Sequence, residues 1–243
     1  MKSSLLISLF LCMSWSVFAA PSLTVVTELS PPNQTLINNQ VTGVSTELVK
    51  AIFDKADLQA NIELYPWARA FNMAQKKPNT FIYSIAKTPE RLNQFEWIGE
   101  VATYHMGFVK LTSRKDIKIS SNEQAKRYKI AVQRDDLAAK QLTERGYILV
   151  YTTDITKSYQ LLISGKVDLI IDDKNYLTAM ADQLAQDESR FTFVHAIDFL
   201  SMNGYLAANK HTNPRYIMAL KAAFNEVSKT QRYKEIMMLN KQH

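Results

Sequence analysis

The chain reads as an α/β protein of two lobes, each built on an open sheet, with the second lobe inserted in the first. Three observations predict this. Short apolar runs of strand length alternate with amphipathic helical stretches almost throughout the chain. The alternation passes through two cycles, which favours two open α/β sheets over one closed barrel. Two extended segments, Val101–Leu111 and Ser201–Ala208, flank the second cycle. They read as paired crossing strands, a two-strand hinge about which the lobes close on a ligand.

Taken in order, Leu23–Thr27 is a short apolar strand broken by Ser30-Pro31-Pro32-Asn33. After Thr42-Gly43, Ser45 is placed to cap a helix whose apolar face is Val44, Leu48, Ile52, Phe53 and Ala56. Asn61–Tyr65 is the next strand, and Pro66 opens a helix through Lys77. Thr80–Ala86 is the third strand, buried by Phe81, Ile82 and Ile85. It runs into Thr88-Pro89-Glu90-Arg91, which has the form of a helix start: Thr as N-cap, Pro at the first helical position, an acid in the first turn. Phe95–Ile98 is extended. In the second cycle the helices are Asn122–Arg127, Asp136–Arg145, Ile155–Ser164 and Asn175–Gln186, two of them stopped by Gly146 and Gly165. The strands between them are Lys129–Val132, Tyr147–Tyr151, Val167–Ile171 and Arg190–His195. Gly204–Ala208 returns as a strand, and a long helix from Pro214 carries Ile217, Leu220, Phe224 and Val227 on one face. Gln231–Leu239 is the last helix.

Residues 1–19 have the form of a secretion signal: Lys2, an apolar core from Leu5 to Val17, and Val17-x-Ala19 before the expected cut. The apolar core falls short of the about 20 residues that span a bilayer. Cys12, the one cysteine, lies inside this leader, and Leu11 stands before it where lipid attachment wants a small residue. The mature protein is therefore expected in the periplasm, with no disulfide, thiol nucleophile or thiolate ligand. Hydrophobic content of 47% supplies the core on which it must fold. The formal charge is +6, but the basic residues are dispersed and interleave with no aromatic run, so no nucleic-acid groove is expected. No second apolar stretch has membrane length, so the protein is not expected to be integral to a membrane.

Catalytic patterns are thin. Only His105, His195, His211 and His243 are present, with no Gly-x-Ser-x-Gly elbow. The pairs Asp135/Asp136 and Asp172/Asp173 offer acid–base chemistry, but sequence neighbours seldom face one substrate. No histidine or acid spacing suits a metal. No catalytic role, cofactor or metal is expected. Arg91 is the sharpest candidate: it stands in a strand-to-helix crevice, where open α/β sheets hold ligands, and a guanidinium grips a carboxylate with two parallel N–H···O bonds.

Thr88-Pro89-Glu90-Arg91, the strand "YHMGFV" after it, the block Gly165-Lys166-Val167-Asp168-Leu169-Ile170-Ile171-Asp172-Asp173 and the C-terminal "NGYLAANK" stand in a fixed order. With these markers the chain resembles the periplasmic solute-binding proteins of the polar amino-acid uptake family, bacterial extracellular solute-binding family 3. The resemblance covers essentially the whole mature chain. It implies the two-lobed periplasmic binding fold of type II, with lobe 1 at 20–107 and 203–243 and lobe 2 at 108–202. It implies an amino-acid-like ligand held by a monomer and delivered to an ABC-type permease. The alternatives are a ligand-binding module for a membrane sensor and a dehydratase-like enzyme on the same fold.

In the family, the T-x-x-R arginine, here Arg91, binds the ligand carboxylate, and an aspartate at the end of the G-K-V-D strand, here Asp173, takes its ammonium. Asp172 points to the other face, and a slip of one residue exchanges the two. Asp168 is expected to be structural. Trp67 matches an aromatic that lies against the ligand, or else is core. Ser84 matches a small polar contact, Arg69 faces the cleft or the solvent, and Glu28 reaches the cleft mouth. Three departures stand out. No aromatic accompanies Pro31-Pro32, and Ala86 replaces a frequent hydroxyl. Where relatives offer free N–H groups at a helix start, this chain has Arg134-Asp135-Asp136. An aspartate cap takes those N–H groups itself and repels a carboxylate. Either Arg134 supplies the missing donors, or the ligand is not a plain α-amino acid.

Overall fold

A computed structural model describes residues 23–239, so the secretion signal and Cys12 lie outside the described residues. The first sheet begins with β1 (Leu23–Thr27), followed by a hairpin of β2 (Thr35–Ile37) and β3 (Gln40–Thr42). Then come α1 (Val44–Lys55), β4 (Ala60–Leu64), α2 (Trp67–Lys76), β5 (Thr80–Ala86) and β6 (Phe95–Tyr104). His105 alone separates β6 from β7 (Met106–Leu111), which belongs to the second sheet. There follow α3 (Asn122–Ala125), β8 (Lys129–Gln133), α4 (Leu137–Glu144), β9 (Ile148–Thr152), α5 (Ile155–Ile163), β10 (Leu169–Asp173), α6 (Leu177–Gln183) and β11 (Phe191–Ala196). The chain then returns to the first sheet as β12 (Met202–Asn209) and ends in α7 (Pro214–Val227) and α8 (Gln231–Leu239).

The strand orders are β4-β1-β5-β12-β6 and β11-β7-β10-β8-β9. Both sheets follow one plan: three parallel strands, then an antiparallel strand, then an edge strand. The second lobe is an insertion between β6 and β12. The crossings fall at His105 and at residues 197–201, a residue or two before the sequence-expected boundaries of 107/108 and 202/203.

Each sheet is covered on both faces. In the first lobe α1, α7 and α8 close one side over Val25, Phe81 and Leu206, while α2 closes the other through Trp67, Ala70 and Ala74. In the second, α4 packs through Leu142 with Phe108 and Ile130, and α5 and α6 pack through Tyr159 and Met180 with Val109 and Ile170. Strands buried on both faces explain the continuous apolar runs.

Several local expectations are corrected. Thr88-Pro89-Glu90 starts no helix: the N–H groups of Arg91 and Leu92 both reach the Thr88 carbonyl at 3.0 Å, a single turn that ends as β6 begins at Phe95. A helix would need a longer stretch than the one linking β5 to β6. Ser45 does not cap α1; its hydroxyl donates to the Val101 carbonyl at 2.7 Å, and Gly43 takes the cap position. Residues 95–104 form one strand rather than two segments, because β12 pairs with it from Phe95 to Tyr104; at Gly99 an added Cβ would meet the Phe224 ring at 2.3 Å. The β2–β3 hairpin was not anticipated; Asn38 and Asn39 turn it with φ of 50° and 62°.

Candidate functional site

Parallel strands of an open sheet deliver their carboxyl ends to one edge, and here two such edges face each other across the hinge. Between them lies a cavity of about 100 Å³. Lobe 1 contributes Glu28 just past β1, Ser84 near the end of β5, Arg91 from the following turn, Trp67 from the start of α2 and Tyr104 from the end of β6. Lobe 2 contributes Gln133 at the end of β8, Asp136 at the head of α4, and Asp172 in β10.

Arg91 is 9% exposed. Its guanidinium carbon lies 4.9 Å from the centre of the Phe71 ring and 5.6 Å from that of Trp67. Nη1 donates a long bond of 3.4 Å to the Ala86 carbonyl, and no ion pair to Arg91 forms among the described residues. The rest of its five-donor fork has no protein partner there. Burial lowers its pKa, with Asp136, Glu90 and Glu28 opposing in that order. Trp67 is buried, and its Nε1 donates across the lobes to the Asp135 carbonyl at 3.0 Å. Ser84 sits in a bulge of β5 against β12 with φ of 63°, a strained conformation for a residue with a Cβ. Its hydroxyl accepts from Gln34 Nε2.

The acids behave unlike surface carboxylates. Asp136 caps α4, accepting from the Leu137 N–H at 2.5 Å. Burial raises its pKa, opposed by the charge of Arg91 and the N–H groups of Leu137 and Ala138. Glu28 is pushed well above the carboxylate range, first by burial and then by Asp136. Its Oε2 is buried without a hydrogen-bond partner, as is Oε1 of Gln133. Asp172 accepts from the Tyr159 hydroxyl at 2.6 Å and from the Asp173 N–H at 2.8 Å; burial brings its pKa up to about 7.

Five of the sequence-expected residues, Arg91, Trp67, Ser84, Asp136 and Glu28, line this cavity together. Three do not. Asp173 is fully buried with both oxygens engaged, accepting from the backbone N–H of His105 and, at 2.8 Å, from that of Asn175. β10 runs on through Asp173, so alternation turns Asp172 to the cavity and Asp173 to the hinge. Arg69 is exposed and stacks over the Tyr65 ring at 4.1 Å. Arg134 is exposed and lines an outer groove with Glu90, Asp135 and Lys140; Arg91 and Asp136 stand between that groove and the cavity. Asp168 accepts from Arg114 and from the Lys129 N–H. Tyr104, Gln133 and Tyr176 were not anticipated. Gln133, as the last residue of a parallel strand, carried a positional signal. For Asp173, the run Asp-Lys-Asn was the signal of a side chain that turns back onto its own backbone.

The sequence pattern of the bacterial extracellular solute-binding proteins, family 3, matches residues 23–238. The chain belongs to that family. Solved structures share the two-lobed periplasmic binding fold of type II with this family 3 protein. A histidine kinase sensor domain similar to periplasmic binding proteins superposes with a TM-score of 0.77 at 17% identity, covering 89% of this chain and 94% of that one. An ancestral arginine-binding protein bound to arginine gives 0.74 at 21%, covering 88% and 96%. The GluR0 ligand-binding core from Nostoc punctiforme, in complex with L-glutamate, gives 0.71 at 19%, covering 88% and 96%. A search of the curated proteins finds no match. Among the described residues of this family 3 protein, no helix is long and apolar enough to cross a membrane, and no cluster of three metal-ligating side chains occurs.

Proposed function

We propose that this protein captures a small amine-bearing carboxylated solute, an amino acid or close analogue, in the periplasm and delivers it to an ABC-type permease. The observation that carries the reading is Arg91: a buried guanidinium whose fork is left unpaired toward an interlobe cavity. A ligand carboxylate fits those donors, and Asp172 on the opposite lobe suits an ammonium. Each bond to a charged group contributes about 1.5–3 kcal/mol net. Closure removes water from both, which strengthens them.

The match to a histidine kinase sensor domain supports a second reading, in which the closed lobes dock on a membrane sensor. Both readings use the same cleft; a permease or a kinase encoded beside this gene decides between them.

The test of the cleft is mass spectrometry of the small molecule that co-purifies with the native protein, followed by calorimetry of that molecule on Arg91→Ala. Loss of at least about 100-fold in affinity is expected, the worth of two charge-assisted bonds. Normal binding by Arg91→Ala removes the assignment.

A further inference from the structure

Basic residues occur along the whole chain, but their excess does not. Residues 110–129 hold seven lysines and arginines against two acids, and so carry +5 of the formal +6. The rest of the chain is close to neutral, with 22 basic and 21 acidic residues. Charge so uneven along a sequence points to a partner of opposite sign.

The fold gathers this excess at one pole. β8 and β10 run parallel, with Leu169 beside Ile130, and β7 runs against β10, with Val109 beside Ile170. The start of β8, the start of β10 and the end of β7 therefore share one edge of the second sheet. It is the edge away from the cleft, because the carboxyl ends of β8 and β10 face the cavity. Lys110 anchors the loop that leaves β7: its side chain is buried, and Nζ donates to the carbonyls of Arg114 at 2.8 Å and Ile117 at 2.7 Å. That loop carries Lys115 and Lys118.

Three acids of this edge are already taken. Arg114 pairs with Asp116 at 2.8 Å and with Asp168 at 2.9 Å, and Lys126 pairs with Glu123 at 2.7 Å. Lys115, Lys118, Arg127, Lys129 and Lys166 are exposed, and none of them forms an ion pair among the described residues. Asp187 and Glu188 stand with Arg190 at the β11 flank, which leaves the basic face centred on β8 and β10. Ile148, the register partner of Lys129 on β9, is 49% exposed, an apolar side chain set beside the cations.

We propose that this pole of lobe 2 is a docking face for an anionic phospholipid bilayer, with the cleft and lobe 1 on the solvent side. The five free cations stand on flexible stems from three separate segments, and they lie outside both the cleft cavity and the outer groove. Such a set matches the diffuse charge of a headgroup layer better than one small anion. Ile148 supplies an apolar contact at the headgroup boundary. Each cation at such a surface strengthens adsorption about fivefold, and the attraction fades over about 8 Å at physiological salt. Adsorption keeps the protein in the layer next to the membrane, whatever solute the cleft takes.

The test is co-sedimentation with vesicles of phosphatidylcholine, alone or with about one third phosphatidylglycerol, at about 50 mM salt and again at about 500 mM. It uses the chain from residue 20 on, which keeps every described residue and lacks the apolar leader. Wild type is expected on the anionic vesicles at low salt only. Lys129→Gln/Lys166→Gln removes two cations from the pole; Lys76→Gln/Lys77→Gln removes two exposed cations from lobe 1. The pole variant should lose about 25-fold in partition coefficient, and the lobe 1 variant less than about threefold. Wild type that ignores anionic vesicles, or equal losses in the two variants, overturns the proposal. So does a pole variant that keeps its vesicle partition but loses binding to poly-L-glutamate, which assigns the face to an acidic protein instead.

Discussion

Two adjacent aspartates show how far identity is from environment. Asp172 and Asp173 share a strand and a composition, yet one faces the cavity and the other is locked into the hinge. Asp172 is 6% exposed, and the Tyr159 hydroxyl and Asp173 N–H that favour its charged form do not offset the loss of water. Its pKa rises from 3.8 to about 7. Between those values the folded protein keeps a proton that the unfolded chain has released, so stability falls as pH rises through the window. A shift of this size corresponds to on the order of 4 kcal/mol. Glu28 and Asp136 are raised as well and act in the same direction. Asp172→Asn cannot ionise and still offers Tyr159 an acceptor. It should flatten the melting-temperature profile of the ligand-free protein over about pH 4–7, which calorimetry at four or five pH values measures. Parallel profiles for the two proteins would mean that Asp172 titrates as an ordinary carboxylate.

At the scale of elements, the joint between β10 and the hinge is the critical piece. Asp173 ends β10 opposite Met106 and bonds backbone N–H groups on both sides, His105 in the crossing and Asn175 in the short 3₁₀ turn that follows. One carboxylate thus ties the crossing to the strand. Asp173→Ala leaves both part-buried N–H groups without their acceptors and should cost about 2–5 kcal/mol. The amides of His105 and Asn175 should exchange with solvent faster in that variant, by hydrogen-exchange mass spectrometry of the peptides that contain them. Unchanged protection there would show that the carboxylate is a bystander. The sequence made the long elements legible because burial on both sheet faces writes continuous apolar runs, and helices such as α7 write one apolar stripe. What it concealed was set by tertiary contact. Thr88-Pro89-Glu90 has every local mark of a helix start, and the nearness of β6 overrides it. The site was legible where position along a strand decides, as at Arg91 and Glu28. It was obscured where one residue of register decides, as at Asp172 and Asp173.

For the whole molecule, two sheets of one plan are joined edge to fourth strand, in both directions, through residue 105 and residues 197–201. In the structure the lobes touch across the gap. Trp67 reaches the Asp135 carbonyl, Lys140 meets Glu90 at 3.0 Å, and Asn33 donates to the Tyr176 hydroxyl across the gap. The Lys140–Glu90 pair is about half exposed on both sides and contributes about 0–1 kcal/mol. A solute that binds both lobes should shift the protein toward the form in which these contacts are made, and the empty protein should rest open. Residues 20–243 carry two tryptophans, Trp67 and Trp97, and Trp97 packs within lobe 1 against Phe95 and Tyr205. In a chain of residues 20–243, Trp97→Phe therefore makes Trp67 the sole indole and a direct reporter of closure. Its emission should move to shorter wavelength when solute is added, as the indole passes from water to the dry interface beneath Arg91. The rate of that change should saturate with concentration if a slow opening and closing step governs capture. Emission that is already blue-shifted in the stripped protein, and indifferent to solute, would mean that the lobes close unaided and that the cleft is not gated by its ligand.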